Sequence, residues 1–288
     1  MTVTDFVPLR GMPCANQGKE TIMSNRLNVQ NGGFTLIELL VVVSIIALLV
    51  GLLMPALASA RGAGQSVKCG SNARQLVMAN AAYAMDHTDF YALGAENLYT
   101  TNLKRWHGTR SSSGAQYDPT KGPLSPYFQS HGSKVCPTFV SKSNTGGYEN
   151  GSGGYGYNTT YIGARADLFP AFDGGAYGRS ARMDDLGSPS ETIMFSDAAG
   201  LSFPDGNIVE ESVIYTPLLV SNAGLSWQNQ SSMHFRHLGG SAQVAMADGH
   251  ARSEVIDYSF NPYSSLTAHQ QTFFGWYGPQ NNDLFDVQ

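Results

Sequence analysis

Four side chains in the C-terminal half of this chain have the chemistry to hold a metal ion: Asp197, His237, Asp248 and His250. Carboxylate oxygens and imidazole nitrogens are ordinary ligands, and the ends of β-strands are where such groups could converge. The plainer reading of Asp248 is a turn. Asp248-Gly249 stands between the alternating runs QVAMA and HARSEVI, and both residue types tolerate the positive φ of a two-residue hairpin. Three cysteines, Cys14, Cys69 and Cys136, show no CxxC spacing, so neither a zinc ribbon nor a dithiol redox motif is supported. Cys69 and Cys136 could form one disulfide in an oxidising compartment, tying a helix to a β domain, with two buried free thiols as the alternative. A hydrolase needs a nucleophile, a base and an oxyanion hole in one cleft. The sequence has no GxSxG, no HExxH and no closely spaced acid pair in a recognisable frame, so no enzymatic activity is expected.

The one charge with an unusual setting is Glu38. It is the sole charged residue in FTLIELLVVVSIIALLVGLLMPAL, Phe34 to Leu57, an apolar run of about one bilayer thickness and a transmembrane helix by length and composition. A carboxylate inside a membrane costs roughly 2.5 to 3.5 kcal/mol on insertion scales and normally has a partner; the alternative is that it snorkels to the interface. Pro55 removes a backbone hydrogen bond and should kink or locally melt the helix, with Gly51 nearby. A secretory signal peptide has a shorter apolar stretch, cut on its far side. Here the run is longer and Gly32-Gly33 precedes it, so a cut ahead of it leaves the helix on the mature chain.

The remaining elements must carry these groups. Leu76, Val77, Asn80, Tyr83 and Ala84 recur at three-and-four spacing and extend the helix towards Met85, weakened locally by Gly62, Gly64 and Gly70. Beyond Asp86 the pattern changes to short β-like runs, such as Glu191 to Asp197 and Gln243 to Ala247, between Gly, Ser, Asn and Pro clusters. Gly146 to Gly156 is a low-complexity loop. The expected organisation is a leader at 1–33, a transmembrane helix at 34–57, a helical stalk at 58–86 and a β-rich globular domain at 87–288, an α+β fold. Met23 offers an alternative start that leaves MSNRLNVQNGG, carrying Arg26, and makes residues 1–22 a start-site artefact. With 288 residues, 42% of them apolar and 14% charged, the chain can bury one sizeable domain. A net charge of −5 without a Lys/Arg cluster argues against a nucleic-acid partner.

The segment GGFTLIELLVVVSIIALLVGLLMPALASAR resembles the N-terminus of type IV prepilins and type II secretion pseudopilins. The resemblance implies a prepilin peptidase that cuts between Gly33 and Phe34 and methylates the new amino group of Phe34. That amino group would lie about one helical turn from Glu38 and could pair with Glu38 of an adjacent subunit, setting axial register; a proline in the place of Pro55 is also a family feature. It implies the cytoplasmic membrane as location, the C-terminal domain outside the cytoplasm, pilin-like subunits and an assembly platform as partners, and a filament in the periplasm or at the cell surface. Arg61, Lys68 and Arg74 follow the apolar run while Arg26 alone lies close before it, the reverse of the usual bias; a long exported domain weakens that rule. Further pieces, CGSNARQL from Cys69, Asn80 to Tyr83, Val135-Cys136-Pro137, Tyr155 to Asn158, and Arg236-His237 through Ala247 to His250, resemble pseudopilin-like proteins with a C-terminal H-X9-DG motif. Here ten residues, not nine, separate His237 from Asp248. Some pseudopilins bind calcium, which makes Ca2+ the cofactor implied, with Asp197 and Asp248 as oxygen ligands. A rival reading is a tethered binding module whose Trp106, Tyr148, Tyr155 and Tyr157 grip a polysaccharide or a partner protein.

Overall fold

The computed structural model describes residues 33–96, 101–128, 135–139, 151–165, 178–202, 206–221, 224–227, 231–257, 273–279 and 281–285. The leader up to Gly32, Cys14, Arg26 and Tyr148 lie outside the described residues. The architecture is α+β: one long helix, α1 (Leu36–Asp86), followed by a β-rich region built of antiparallel sheets. Contacts divide the chain into two compact units, Met1–Gly51 and Leu52–Gln288.

In the first unit every described residue is exposed. No apolar stripe is hidden, because Leu, Val and Ile occur all round the helix rather than at three-and-four spacing. Within α1 lies a segment long and apolar enough to cross a membrane. The helix is continuous through Pro55, so the local melting expected there does not occur. A ring nitrogen without a proton cannot donate to the Gly51 carbonyl, four residues back, and that is the only intrahelical bond chemistry removes.

In the second unit the periodicity changes at Cys69. From there Cys69, Ala73, Leu76, Val77, Asn80 and Ala84 are buried along one stripe of α1. Gly70 belongs to this contact: a Cβ there would stand 2.7 Å from Gln243 Oε1. The strands follow as β1 (Lys104–Arg105), β2 (Gly108–Thr109), β3 (Tyr155–Tyr157), β4 (Ile193–Asp197), β5 (Gly200–Leu201), β6 (Ile208–Val209), β7 (Leu218–Ser221), β8 (Gly224–Trp227), β9 (Ser241–Met246) and β10 (Ala251–Val255). Pairs β1-β2, β5-β6 and β7-β8 are small ribbons; the main sheet has order β10-β9-β4-β3, antiparallel throughout.

Strands β4 and β9 lie inside this sheet and are buried at every position. Their side chains serve two cores. Tyr155, Tyr157, Met194, Phe195 and Ala245 pack with Cys69, Ala73, Leu76, Val77 and Ala84 of α1. Ile193, Ala242, Val244 and Met246 pack with Met233, Phe235 and Trp276 on the other face. A register shift between Ile193 and Phe195 lets Met194 and Phe195 both join the helix-side core, a break in alternation that a bulge permits. Phe195 stacks on Tyr157 with ring centroids 4.8 Å apart, and Trp106 meets Phe195 edge-on at 5.1 Å. Trp106, Tyr155 and Tyr157 are therefore core residues, 2%, 0% and 0% exposed. The rings expected to grip a surface ligand face inward, because α1 covers the side of β3 that would otherwise be open.

Candidate functional site

Register decides which polar groups meet. Tyr155 stands opposite Asp197 and Tyr157 opposite Phe195, so Asp197 shares the helix-facing side of the sheet with these rings and is fully buried. A buried carboxylate is costly unless paired and hydrogen-bonded. Asp197 receives that compensation in full. Arg236 Nη2 donates to its Oδ1 at 2.6 Å, the Gln243 backbone N–H donates to Oδ2 at 2.7 Å, and His237 Nε2 lies 2.9 Å from Oδ2.

The other partners come from separate segments. Cys69 sits on the buried stripe of α1, and its Sγ lies 2.9 Å from Asp197 Oδ1 and 2.8 Å from Cys136 Sγ. Cys136 begins a turn in which the Phe139 N–H donates to the Cys136 carbonyl at 3.0 Å; Pro137, with φ preset, occupies the position that a turn favours for proline. His237 is held by a tight turn through Leu238, Gly239 and Gly240, closed by the His237 N–H to the Ser241 carbonyl at 2.9 Å. Positive φ at Gly239 (+74°) and Gly240 (+68°) makes that turn possible. Ligand atoms of Cys69, Cys136, Asp197 and His237 all lie within 4.8 Å of one another, and all four residues are buried.

Further groups ring these four. The Tyr155 hydroxyl lies 3.2 Å from Cys69 Sγ, Thr138 Oγ1 lies 3.1 Å from Cys136 Sγ, and Arg236 Nε donates to Cys136 Sγ at 3.5 Å. The guanidinium of Arg236 also lies over the Phe139 ring, 5.0 Å from its centroid. The hydrogen bond from Cys69, with help from His237 and Arg236, holds the Cys136 thiol down to about 2, while burial pushes Cys69 up. Burial alone would lower His237, yet its hydrogen bonds to Asp197 and Cys136 raise it to about 9.

Two of the four expected metal ligands, Asp197 and His237, thus meet, but the groups that converge with them are the cysteines. Asp248 and His250 pair with each other in the exposed turn after β9, His250 Nδ1 2.7 Å from Asp248 Oδ1. The cause is geometric: His237 enters β9 and Asp248 leaves it. A six-residue strand separates its ends by roughly 20 Å at ~3.3 Å per residue, so the two cannot share an ion. The Asp248-Gly249 hairpin is present, with Gly249 at φ +94°, although the Met246 N–H reaches the His250 carbonyl and three residues make the turn. An oxygen-only calcium site is not what this cluster offers, since two of its four donors are sulfur. Cys69 and Cys136, the expected disulfide pair, are juxtaposed as free thiols.

At the other candidate site the chain begins α1 with a reciprocal cap. Thr35 N–H and Thr35 Oγ1 both donate to Glu38 Oε2 at 2.9 Å, and the Glu38 N–H donates to Thr35 Oγ1 at 3.2 Å. Thr35-Leu36-Ile37-Glu38 is a capping box, legible in sequence as Thr-x-x-Glu. Gly33 and Phe34 precede it, both exposed. Residues 29–54 match the prokaryotic N-terminal methylation motif. The chain carries the signature of prepilin-like precursors. No curated protein and no solved structure matches it, so the likeness to prepilin-like precursors rests on this segment alone.

Proposed function

We propose that this chain is a structural filament subunit of the type IV pilus or type II secretion pseudopilus kind, without enzymatic activity of its own. A prepilin peptidase cuts it between Gly33 and Phe34 and methylates the Phe34 amino group. The segment Phe34 to Leu57 then holds it in the cytoplasmic membrane, the β-rich region outside the cytoplasm, until an assembly platform transfers it to a filament of identical or related subunits. One observation carries the reading: the helix of the methylation motif exposes every side chain from Phe34 to Leu57. An apolar surface of that extent needs lipid or other helices to cover it.

Glu38 fits the same scheme. Its cap to Thr35 uses Oε2 alone, and we assign Oε1 as the acceptor for the amino group of Phe34 in a neighbouring subunit, which fixes axial register. Intact-mass and N-terminal peptide analysis of the protein from its native membrane tests the first step. A mature chain beginning at methylated Phe34 supports the proposal; a retained leader, or a cut beyond Leu57, refutes it. For assembly, Glu38→Ala should insert in the membrane normally and be depleted from sheared filaments, whereas unchanged incorporation would leave Glu38 as a helix cap and nothing more.

A further inference from the structure

We propose that Cys69, Cys136, Asp197 and His237 together bind one divalent transition-metal ion in tetrahedral coordination, and that zinc is the ion their chemistry selects. The proposal concerns the second unit of the chain and is independent of its processing or assembly. Two sulfurs, one imidazole nitrogen and one carboxylate oxygen, brought within 4.8 Å of one another from four separate segments, are the mixed, partly soft donor set that zinc prefers and calcium or magnesium does not. All four residues are at most 5% exposed, which leaves no ligand position to solvent and makes the site structural.

The outer groups point the same way. Each sulfur faces a hydroxyl, Tyr155 on Cys69 and Thr138 on Cys136, and Arg236 donates to Cys136 as well. The Arg236 guanidinium is a charged donor to the Cys136 sulfur and stabilises a thiolate there, whereas a disulfide sulfur is a weak acceptor with little use for it. His237 presents Nε2 to the centre, and Thr138 Oγ1 lies 3.5 Å from its Nδ1, the second contact that a metal-bound imidazole normally makes. Arg236 and the Gln243 N–H orient the carboxylate. Two thiolates, one carboxylate and one neutral imidazole around a doubly positive ion leave one negative charge, which Arg236 balances. Binding breaks no covalent bond other than those to hydrogen: the two sulfurs bind as thiolates and the imidazole through an unprotonated Nε2, and whatever protons they carry pass to solvent.

Two sulfurs bound at ~2.3 Å to a tetrahedral ion stand about 3.8 Å apart, against 2.8 Å here. The ion therefore separates Cys69 from Cys136 by about 1 Å. It also ties α1, the turn at Cys136, the end of β4 and the entry to β9 to a single point.

The full-length chain, isolated from membranes in mild detergent, tests this by elemental analysis and by exchange with cobalt. About one equivalent of zinc per chain that survives dialysis and leaves as mercurial modifies Cys69 and Cys136, identified by peptide mapping, is the expected result. Cobalt in its place should show the thiolate-to-metal charge-transfer band of a tetrahedral site. Because Cys136→Ser or His237→Ala could simply misfold, the wild-type cobalt spectrum decides; Asp248→Ala, in the exposed turn, should keep full metal content and serves as the folded control. Two outcomes overturn the proposal: metal-free protein whose non-reducing digest joins the Cys69 and Cys136 peptides by a disulfide, or metal-free protein in which both thiols alkylate.

Discussion

Replacing Asn80 by alanine tests the attachment of α1 to the β-rich region. Asn80 is fully buried; its Oδ1 accepts the Ala92 N–H at 2.9 Å and its Nδ2 donates to the Tyr157 hydroxyl at 2.9 Å. Asn80→Ala leaves the Ala92 N–H buried without an acceptor, which costs ~1–3 kcal/mol. The Tyr157 hydroxyl loses less, since it still donates to the Ala92 carbonyl at 3.1 Å. A loss of about 2 kcal/mol follows, a fall of about 4–8 °C in Tm for a unit of this size. Urea unfolding of the full-length chain in mild detergent measures it, read by the fluorescence of buried Trp106, whose ring lies 6.3 Å from that of Tyr157. Tyr157→Phe removes the other half of the network, so the double variant should be more stable than the sum of the two losses predicts by at least ~0.5 kcal/mol. Additive losses, or Asn80→Ala within ~0.5 kcal/mol of the parent, would refute the reasoning.

Other expectations follow from single contacts. Gly122→Ala places a Cβ 2.7 Å from the Gly108 nitrogen and 2.7 Å from the His107 carbonyl carbon, backbone atoms that cannot rotate away, so a loss of about 1–3 kcal/mol is expected in thermal unfolding; an unchanged Tm would show that the loop yields. Trp106→Phe deletes the bond from Nε1 to the Ser212 carbonyl at 2.8 Å, but that carbonyl keeps the Tyr157 N–H at 2.9 Å. Its cost should therefore stay near 1–2 kcal/mol, against the ~3–5 typical of Trp→Ala, and equal losses for the two variants would contradict this. Burial, then Arg236, holds His234 down to about 3 from 6.5. The folded chain thus refuses a proton that the unfolded chain binds, so the stability due to neutral His234 is complete above pH 6.5 and is lost as pH falls towards 3. His234→Gln should flatten that acid limb in pH-dependent unfolding, and an identical slope in variant and parent would exclude His234 as its source.

The helix was legible because its two signals are local: an apolar run needing lipid or partner helices, then a three-and-four stripe of Leu76, Val77, Asn80, Tyr83 and Ala84, of which Leu76, Val77 and Ala84 are in the core; its extension back to Cys69 was not. Strands β4 and β9 were legible for a similar reason, as short apolar runs between turn residues. What lay beyond the sequence depends on register. Asp197 and Asp248 both end apolar runs and look equivalent in the chain, yet one faces the helix across from Tyr155 and the other turns outward with His250. Cys69 and Cys136 stand 67 positions apart, and no local pattern brings them to Asp197. Tyr155 and Tyr157, in a Gly- and Tyr-rich stretch, read as surface residues; their side of β3 is buried by a helix far away in sequence, and the Gly156 side by Ala198, Val213 and Ile214. Thr35 is the opposite case, since its spacing to Glu38 needed no tertiary knowledge, only attention to hydrogen bonding as well as charge.

The Thr35–Glu38 cap has one more consequence. Both of its partners lie downstream of the Gly33–Phe34 bond, so removing everything up to Gly33 takes no hydrogen bond from this cap. The precursor and the trimmed chain can share the same first helical turn. Trimming then changes what stands before the helix, supplying a positive end near the helix N-terminus, without any need for the helix to be rebuilt. A cut between Gly33 and Phe34 would leave both halves of the cap on the same side of the break, and the first turn of α1 with the partners it already has.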